Sequence, residues 1–184
     1  INGIELYQPV NKPEVLNWRL VRNCVDMWLL IKPFMRDFKI ESAVDLACSY
    51  GWFVDQLKKD GVSALGVDKD QVALKVGKLV YGLEDEKLVC SDLFNFFDNE
   101  QEKFDLVLFL SILHHYGIKK EKGDLRKLLV NLDRMTKKVL ILDSGENHEE
   151  WFKNLIPNWT PGYIEKMILD NTSFNKVKRL GKDT

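Results

Sequence analysis

Val44-Asp45-Leu46-Ala47-Cys48-Ser49-Tyr50-Gly51 is followed, at the end of a second apolar run, by Gly66-Val67-Asp68-Lys69. An acidic residue closes the first run, small residues make a turn, and a second acidic residue ends the next run. This spacing builds a pocket for a nucleoside-bearing cofactor. Such a ligand needs a backbone that comes close at the first turn. Ala47, Ser49 and Gly51 allow that approach, and the helix after them aims its N-terminal amides at the ligand. It also needs a carboxylate for the ribose hydroxyls, which Asp68 supplies, with Lys69 beside it in the same site. Finally it needs a polar group beside the base. Asp92, in Cys90-Ser91-Asp92-Leu93, can accept from an exocyclic amine, with Leu93 or Phe94 against the ring.

Outward from this turn, short apolar runs alternate with amphipathic ones, a rhythm that predicts βαβ units around a parallel sheet. Strands are expected at Ser42 to Ala47, Ser63 to Val67, Lys87 to Cys90, Phe104 to Leu113 and Val139 to Leu142. The Phe104 to Leu113 run, nearly all apolar, reads as a central strand covered on both faces. Helices are expected after Gly51, over Gln71 to Tyr81 with Asp70 as its cap, over Asp124 to Met135 and near Tyr163 to Leu169. An edge strand is expected at Phe174 to Leu180. Ahead of the first strand, Leu16, Leu20, Cys24, Met27 and Leu30 predict a helix from Val15 to Phe38 interrupted by Pro33. Residues 1–40 therefore read as a helical extension or lid, and residues 41–184 as the cofactor-binding domain.

Composition bounds the function. The chain has 184 residues, 45% of them hydrophobic, which suits one domain with a substantial core. Its 27 basic and 28 acidic residues nearly cancel, and the basic ones are scattered, so there is no electrostatic footprint for a nucleic-acid duplex. The three cysteines, Cys24, Cys48 and Cys90, lie apart in apolar segments and fit reduced thiols in a cytoplasmic protein. No run is long and apolar enough for a membrane span, so no membrane partner is expected. The start at Ile1, without a methionine, leads to the expectation of one piece of a longer protein.

Over roughly Ser42 to Leu180 the chain resembles the class I S-adenosylmethionine-dependent methyltransferases. The opening pattern of that family, acidic-x-Gly-x-Gly-x-Gly, is matched at Asp45 and Gly51, while Ala47 and Ser49 replace its first two glycines. The resemblance implies a three-layer α/β/α Rossmann-like fold with a mostly parallel sheet. It implies S-adenosylmethionine as cofactor, with Asp68 on the ribose, Asp92 on the adenine amine, and Leu110 and Ser111 beside the methionyl part. The family ends in a two-stranded hairpin, of which the sequence holds only the first strand. The N-terminal piece resembles methyltransferases whose leading segment folds over the cofactor. By that likeness Tyr7 covers the pocket and Arg19 pairs with the cofactor's carboxylate, a bidentate task suited to guanidinium.

Ser111-Ile112-Leu113-His114-His115-Tyr116 follows the central strand at the sheet's carboxyl edge, where ligands collect. His115 is the candidate general base for a substrate hydroxyl, since an imidazole titrates at about 6.5 and removes protons at neutral pH. Metal ligation by the two histidines with Glu146, His148, Glu149 or Glu150 lacks diagnostic spacing, and no metal is expected. Trp52 and Trp151 are candidates for the mouth of the site. The expected reaction is methyl transfer to an oxygen or nitrogen of a small molecule or glycan. An RNA or nucleoside methyltransferase, a non-catalytic cofactor-binding module and an NAD-binding oxidoreductase remain as alternatives at this stage.

Overall fold

A computed structural model describes residues 5–15, 17–118, 124–144, 156 and 158–181. Two short strands, β1 (Glu5–Leu6) and β2 (Arg19–Leu20), pair in parallel ahead of helix α1 (Cys24–Asp37). The alternating units follow: β3 (Ser42–Leu46), α2 (Trp52–Lys59), β4 (Ser63–Asp68), α3 (Gln71–Tyr81), β5 (Leu88–Cys90), α4 (Leu93–Asn99) and β6 (Phe104–Phe109). The described chain then runs through α5 (Leu113–Gly117), α6 (Leu125–Met135), β7 (Thr136–Leu142) and α7 (Pro161–Asn171).

Strands β3 to β7 form one sheet in the order β5-β4-β3-β6-β7, every pair parallel. The order reverses beside β3, whose Asp45 lies level with Gly66 of β4 on one side and Leu108 of β6 on the other. A cleft opens at such a reversal, because the loops leaving the two central strands turn to opposite faces.

Period-two alternation divides the core into two layers. Ala43, Leu106 and Leu108 face Cys24, Trp28 and Ile31 of α1 together with Phe53 and Leu57 of α2. Val44, Leu46, Val67, Val107 and Phe109 face Phe96 and Phe97 of α4, Leu113 of α5 and Leu128 of α6. Every residue of β6 is buried, as a central parallel strand requires. The architecture is thus the expected three-layer α/β/α sandwich.

The N-terminal segment departs from expectation. In place of a helix from Val15, residues 19–20 extend to pair with residues 5–6, and α1 starts only after Asn23. The Asn23 side chain accepts from the Val25 amide at 3.2 Å and so caps the helix. Pro33 sits inside α1 near its end, and the helix continues past it to Asp37. The run at Phe104 to Leu113 is not one strand: β6 stops at Phe109 and α5 begins at Leu113. Both pieces are buried, so hydrophobicity alone does not separate them. Residues 174–180 join no strand ladder among the described residues. Ser173 instead ties the tail to α6, its amide and hydroxyl both donating to Asp133, at 3.0 and 2.8 Å.

Candidate active site

The turn after β3 is built from backbone that its residues do not favour. Ala47 has φ 64° and Ser49 φ 53°, both in the left-handed region, where a side chain costs about 1–3 kcal/mol. Hydrogen bonds within the turn and to the next strand hold them there. The Cys48 amide donates to the Val67 carbonyl at 3.0 Å and the Gly51 amide to the Cys48 carbonyl at 2.9 Å. The Ser49 amide donates to Asp68 Oδ2 at 2.7 Å. Gly51 has φ 81°, and a Cβ there would stand 3.1 Å from Leu83 and 3.2 Å from Leu88. Glycine therefore shapes this position from behind without reaching the cleft.

Asp68 accepts a second amide, from Asp70, on Oδ1 at 2.8 Å. Its carboxylate is fixed by two backbone donors, and each oxygen keeps a lone pair for a ligand hydroxyl. Asp92 caps α4, Oδ1 accepting from the Phe94 amide at 2.9 Å. A single residue thus starts a helix and presents Oδ2 at the sheet's carboxyl edge.

These groups line a cavity of about 200 Å³. Ala47 and Ser49 come to it from the first turn, Asp68 and Lys69 from the second, and Asp92 and Leu93 from the third. Leu110 and Ser111 reach it from the end of β6, and Tyr7 and His115 complete the ten expected residues found there. Sequence reasoning missed Ser91, Ile112 and Tyr116, each adjacent to a residue it named. Ser111 has φ 58°, so among the described residues three of the five non-glycine residues with positive φ lie on this one cavity. Backbone strain of this kind collects at functional sites.

Arg19 does not reach the cavity. As part of β2 its side chain is 78% exposed and pairs with Glu5 at 3.0 Å. The inward-facing arginine is Arg22, in the turn before α1. Its Nη2 lies 3.4 Å from Asp143 Oδ2 and 3.3 Å from Met27 Sδ. Its Cζ stands 6.0 Å from the Phe53 ring centre. Asp143 also accepts from the Ser111 hydroxyl at 2.5 Å. Asp45 is 2% exposed and lies outside the cavity lining.

Among the described residues, two polar side-chain atoms, Asp45 Oδ2 and Arg22 Nε, are buried without a hydrogen-bond partner. Burial raises the Asp45 carboxyl from 3.8 to about 7, with Arg22 opposing the shift and Asp68 adding to it. Near neutral pH this carboxyl is poised between its two forms. Burial likewise pushes the Cys24 thiol up to about 12 and that of Cys48 well above its ordinary value, so neither is a ready nucleophile.

Trp52 is not at the mouth of the site. It is buried edge-on against Trp28 with ring centres 6.5 Å apart, because the helix after Gly51 turns that face to α1. His114 is buried with its ring 4.4 Å from that of His115. Glu146, His148, Glu149, Glu150 and Trp151 lie outside the described residues.

Residues 44–141, just over half of the chain and spanning β3 to β7, match the family model of the methyltransferase domain. The chain belongs to this methyltransferase family. S-adenosylmethionine is the family's cofactor. The fold is similar to that of the bifunctional kinase-methyltransferase WbdD, with a TM-score of 0.69 and 23% identity over 87% of this chain and 37% of that one. It is similar to a SAM-dependent methyltransferase from Archaeoglobus fulgidus, with a TM-score of 0.57 and 18% identity over 82% and 70% of the two chains. A S-adenosylmethionine-dependent methyltransferase from Clostridium acetobutylicum gives a TM-score of 0.54 and 22% identity over 66% and 50%. The methyltransferase thus spans well under half the length of WbdD. No curated protein matches the chain. No described helix is long and apolar enough to cross a membrane.

Proposed function

We propose that this methyltransferase moves a methyl group from S-adenosylmethionine to an oxygen or nitrogen nucleophile of a small molecule or a glycan end. The observation that carries this reading is the presence of two fixed carboxylates, Asp68 and Asp92, on one cavity; two buried, unpartnered atoms outside its lining, Asp45 Oδ2 and Arg22 Nε, accompany them. The ribose diol and adenine amine of the cofactor suit the first pair. Asp45 and Arg22 stand outside the cavity lining, and we assign them to the methionyl ammonium and carboxylate because a buried orphan group is costly until a partner satisfies it.

When bound, the cofactor supplies a methyl group already activated on a sulfonium. The work left to the protein is orientation and, for a hydroxyl acceptor, proton removal. Asp68 holds the ribose and Asp92 the adenine amine, with Leu93 against the ring and Lys69 beside them. Leu110 and Ser111 flank the methionyl part. Arg22 takes the carboxylate-pairing role expected of Arg19. Tyr7 covers the pocket, with residues 1–40 as its lid and residues 41–184 as the binding domain. His115 accepts the acceptor's proton. The small cavity and the balanced surface charge favour a compact acceptor over a long nucleic acid. Free thiols at Cys24, Cys48 and Cys90 accord with work in the cytoplasm.

The test is S-adenosylhomocysteine release from a panel of hydroxyl- and amine-bearing small molecules, oligosaccharides and RNA. Turnover with the first two classes is expected. Release with RNA alone overturns the acceptor class, and none at all despite tight cofactor binding overturns catalysis.

A further inference from the structure

In the turn over residues 47–51, Ala47 and Ser49 hold left-handed backbone angles that glycine favours, and groups outside the turn must hold its shape. Besides Asp68 and Val67, one such group comes from the N-terminus. Gln8 is a polar residue only 2% exposed, and both ends of its carboxamide are engaged with the turn. Its Nε2 donates to the Cys48 carbonyl at 3.1 Å, and its Oε1 accepts from the Trp52 amide at 3.2 Å. The Cys48 carbonyl lies between the two strained residues, Ala47 and Ser49. The Trp52 amide is the first of α2, immediately after Gly51.

The strap carrying Gln8 is anchored on both sides of it. The Val21 amide donates to the Leu6 carbonyl at 2.8 Å, and the Tyr81 hydroxyl to the Pro9 carbonyl at 2.7 Å. Tyr7, between these anchors, lines the cavity.

We infer that Gln8 is a positioning residue for the cofactor: its carboxamide splints the turn from Ala47 to Trp52 and, through the same strap, seats Tyr7 on the cavity. A side-chain amide suits this task because one planar group donates and accepts at fixed spacing without bringing a charge. Because Gln8 occupies the Trp52 amide, the first turn of α2 is spent on holding the strap. The cofactor is then received by the turn's surface and by Asp68. The inference rests on the proposed cofactor-binding function, and its test separates the two.

Gln8→Met keeps length and burial while removing both hydrogen bonds. In the ligand-free protein, amide hydrogen exchange over residues 46–54 should quicken about tenfold, with β6 unchanged. The dissociation constant for S-adenosylhomocysteine should rise about tenfold. Gln8→Glu, which keeps the acceptor for Trp52, should shift both in the same direction by less. In an Ala47→Gly/Ser49→Gly background, where the turn no longer needs a splint, Gln8→Met should weaken binding by less than about threefold. Unchanged exchange in the turn overturns the inference, as does an equal loss of affinity in both backgrounds. If the unaltered chain binds neither S-adenosylmethionine nor S-adenosylhomocysteine, the cofactor reading fails by itself, and the exchange comparison alone decides the splint.

Discussion

Asp45→Asn replaces a buried carboxyl by a neutral side chain of the same shape, and burial sets the sign of the effect. The unfolded carboxyl titrates at its ordinary value of 3.8 and the folded one at about 7. Between those values the folded state holds a proton that the unfolded state has released, so stability falls as pH rises through this window and levels off above it. Three pKa units at about 1.4 kcal/mol each set a ceiling of about 4 kcal/mol on the cost of ionising Asp45 in the fold. A carboxamide at this position escapes that cost. Thermal melts of the ligand-free protein from pH 4 to pH 8 should show the variant equal to the parent at pH 4. At pH 8 it should be more stable by up to about 4 kcal/mol, roughly 8–16 °C for a domain of this size. The same variant should bind S-adenosylmethionine more weakly, since the proposed partner of the methionyl ammonium is gone. A gain that does not vary with pH, or a variant less stable than the parent at pH 8, refutes the reasoning.

Asp68→Ala removes the acceptor for the Ser49 and Asp70 amides along with the proposed ribose contact, so cofactor affinity should fall by about 1–3 kcal/mol in calorimetry. Gly77→Ala should cost about 3 kcal/mol or more in denaturant unfolding, because the added Cβ would stand 1.8 Å from the backbone carbonyl oxygen of Tyr50 in the cofactor turn. Arg22→Met should weaken S-adenosylmethionine binding at least tenfold, whereas Arg19→Met, at an exposed ion pair, should change affinity and stability by less than about 0.5 kcal/mol. His115→Gln should lower kcat for a hydroxyl acceptor by about a hundredfold and leave cofactor affinity within twofold, a split that a packing role would not produce.

The sheet was legible because its strands carry strong local signals. Gln71–Tyr81, preceded by the Asp70 cap, was read to the residue, and of the small and acidic positions of the first two turns Ala47, Ser49 and Asp68 line the cleft. What escaped the sequence was of two kinds. The β1–β2 ribbon joins residues 14 positions apart, and no local pattern distinguishes Arg19 in such a strand from Arg19 in a helix. The signal that could have corrected it was Asn23, a strong helix cap followed at Asp26 by an acidic first-turn residue. Helix α4 was missed because Asp92 was read only as a ligand group, although its side chain also caps Leu93–Asn99. Gln8 gave no warning at all. A lone glutamine in a polar N-terminal stretch looks solvated, and only the tertiary fold sets its carboxamide against Cys48 and Trp52.

Whether this cavity takes S-adenosylmethionine is decided by calorimetric titration of the purified chain with S-adenosylmethionine, S-adenosylhomocysteine and, as control, NADH. Micromolar binding of the first two is expected, abolished together by Asp68→Ala with Arg22→Met, and no heat from NADH. Binding of NADH in preference to S-adenosylmethionine, or of none of the three, would contradict the assignment of Asp68, Asp92 and Arg22 to that cofactor.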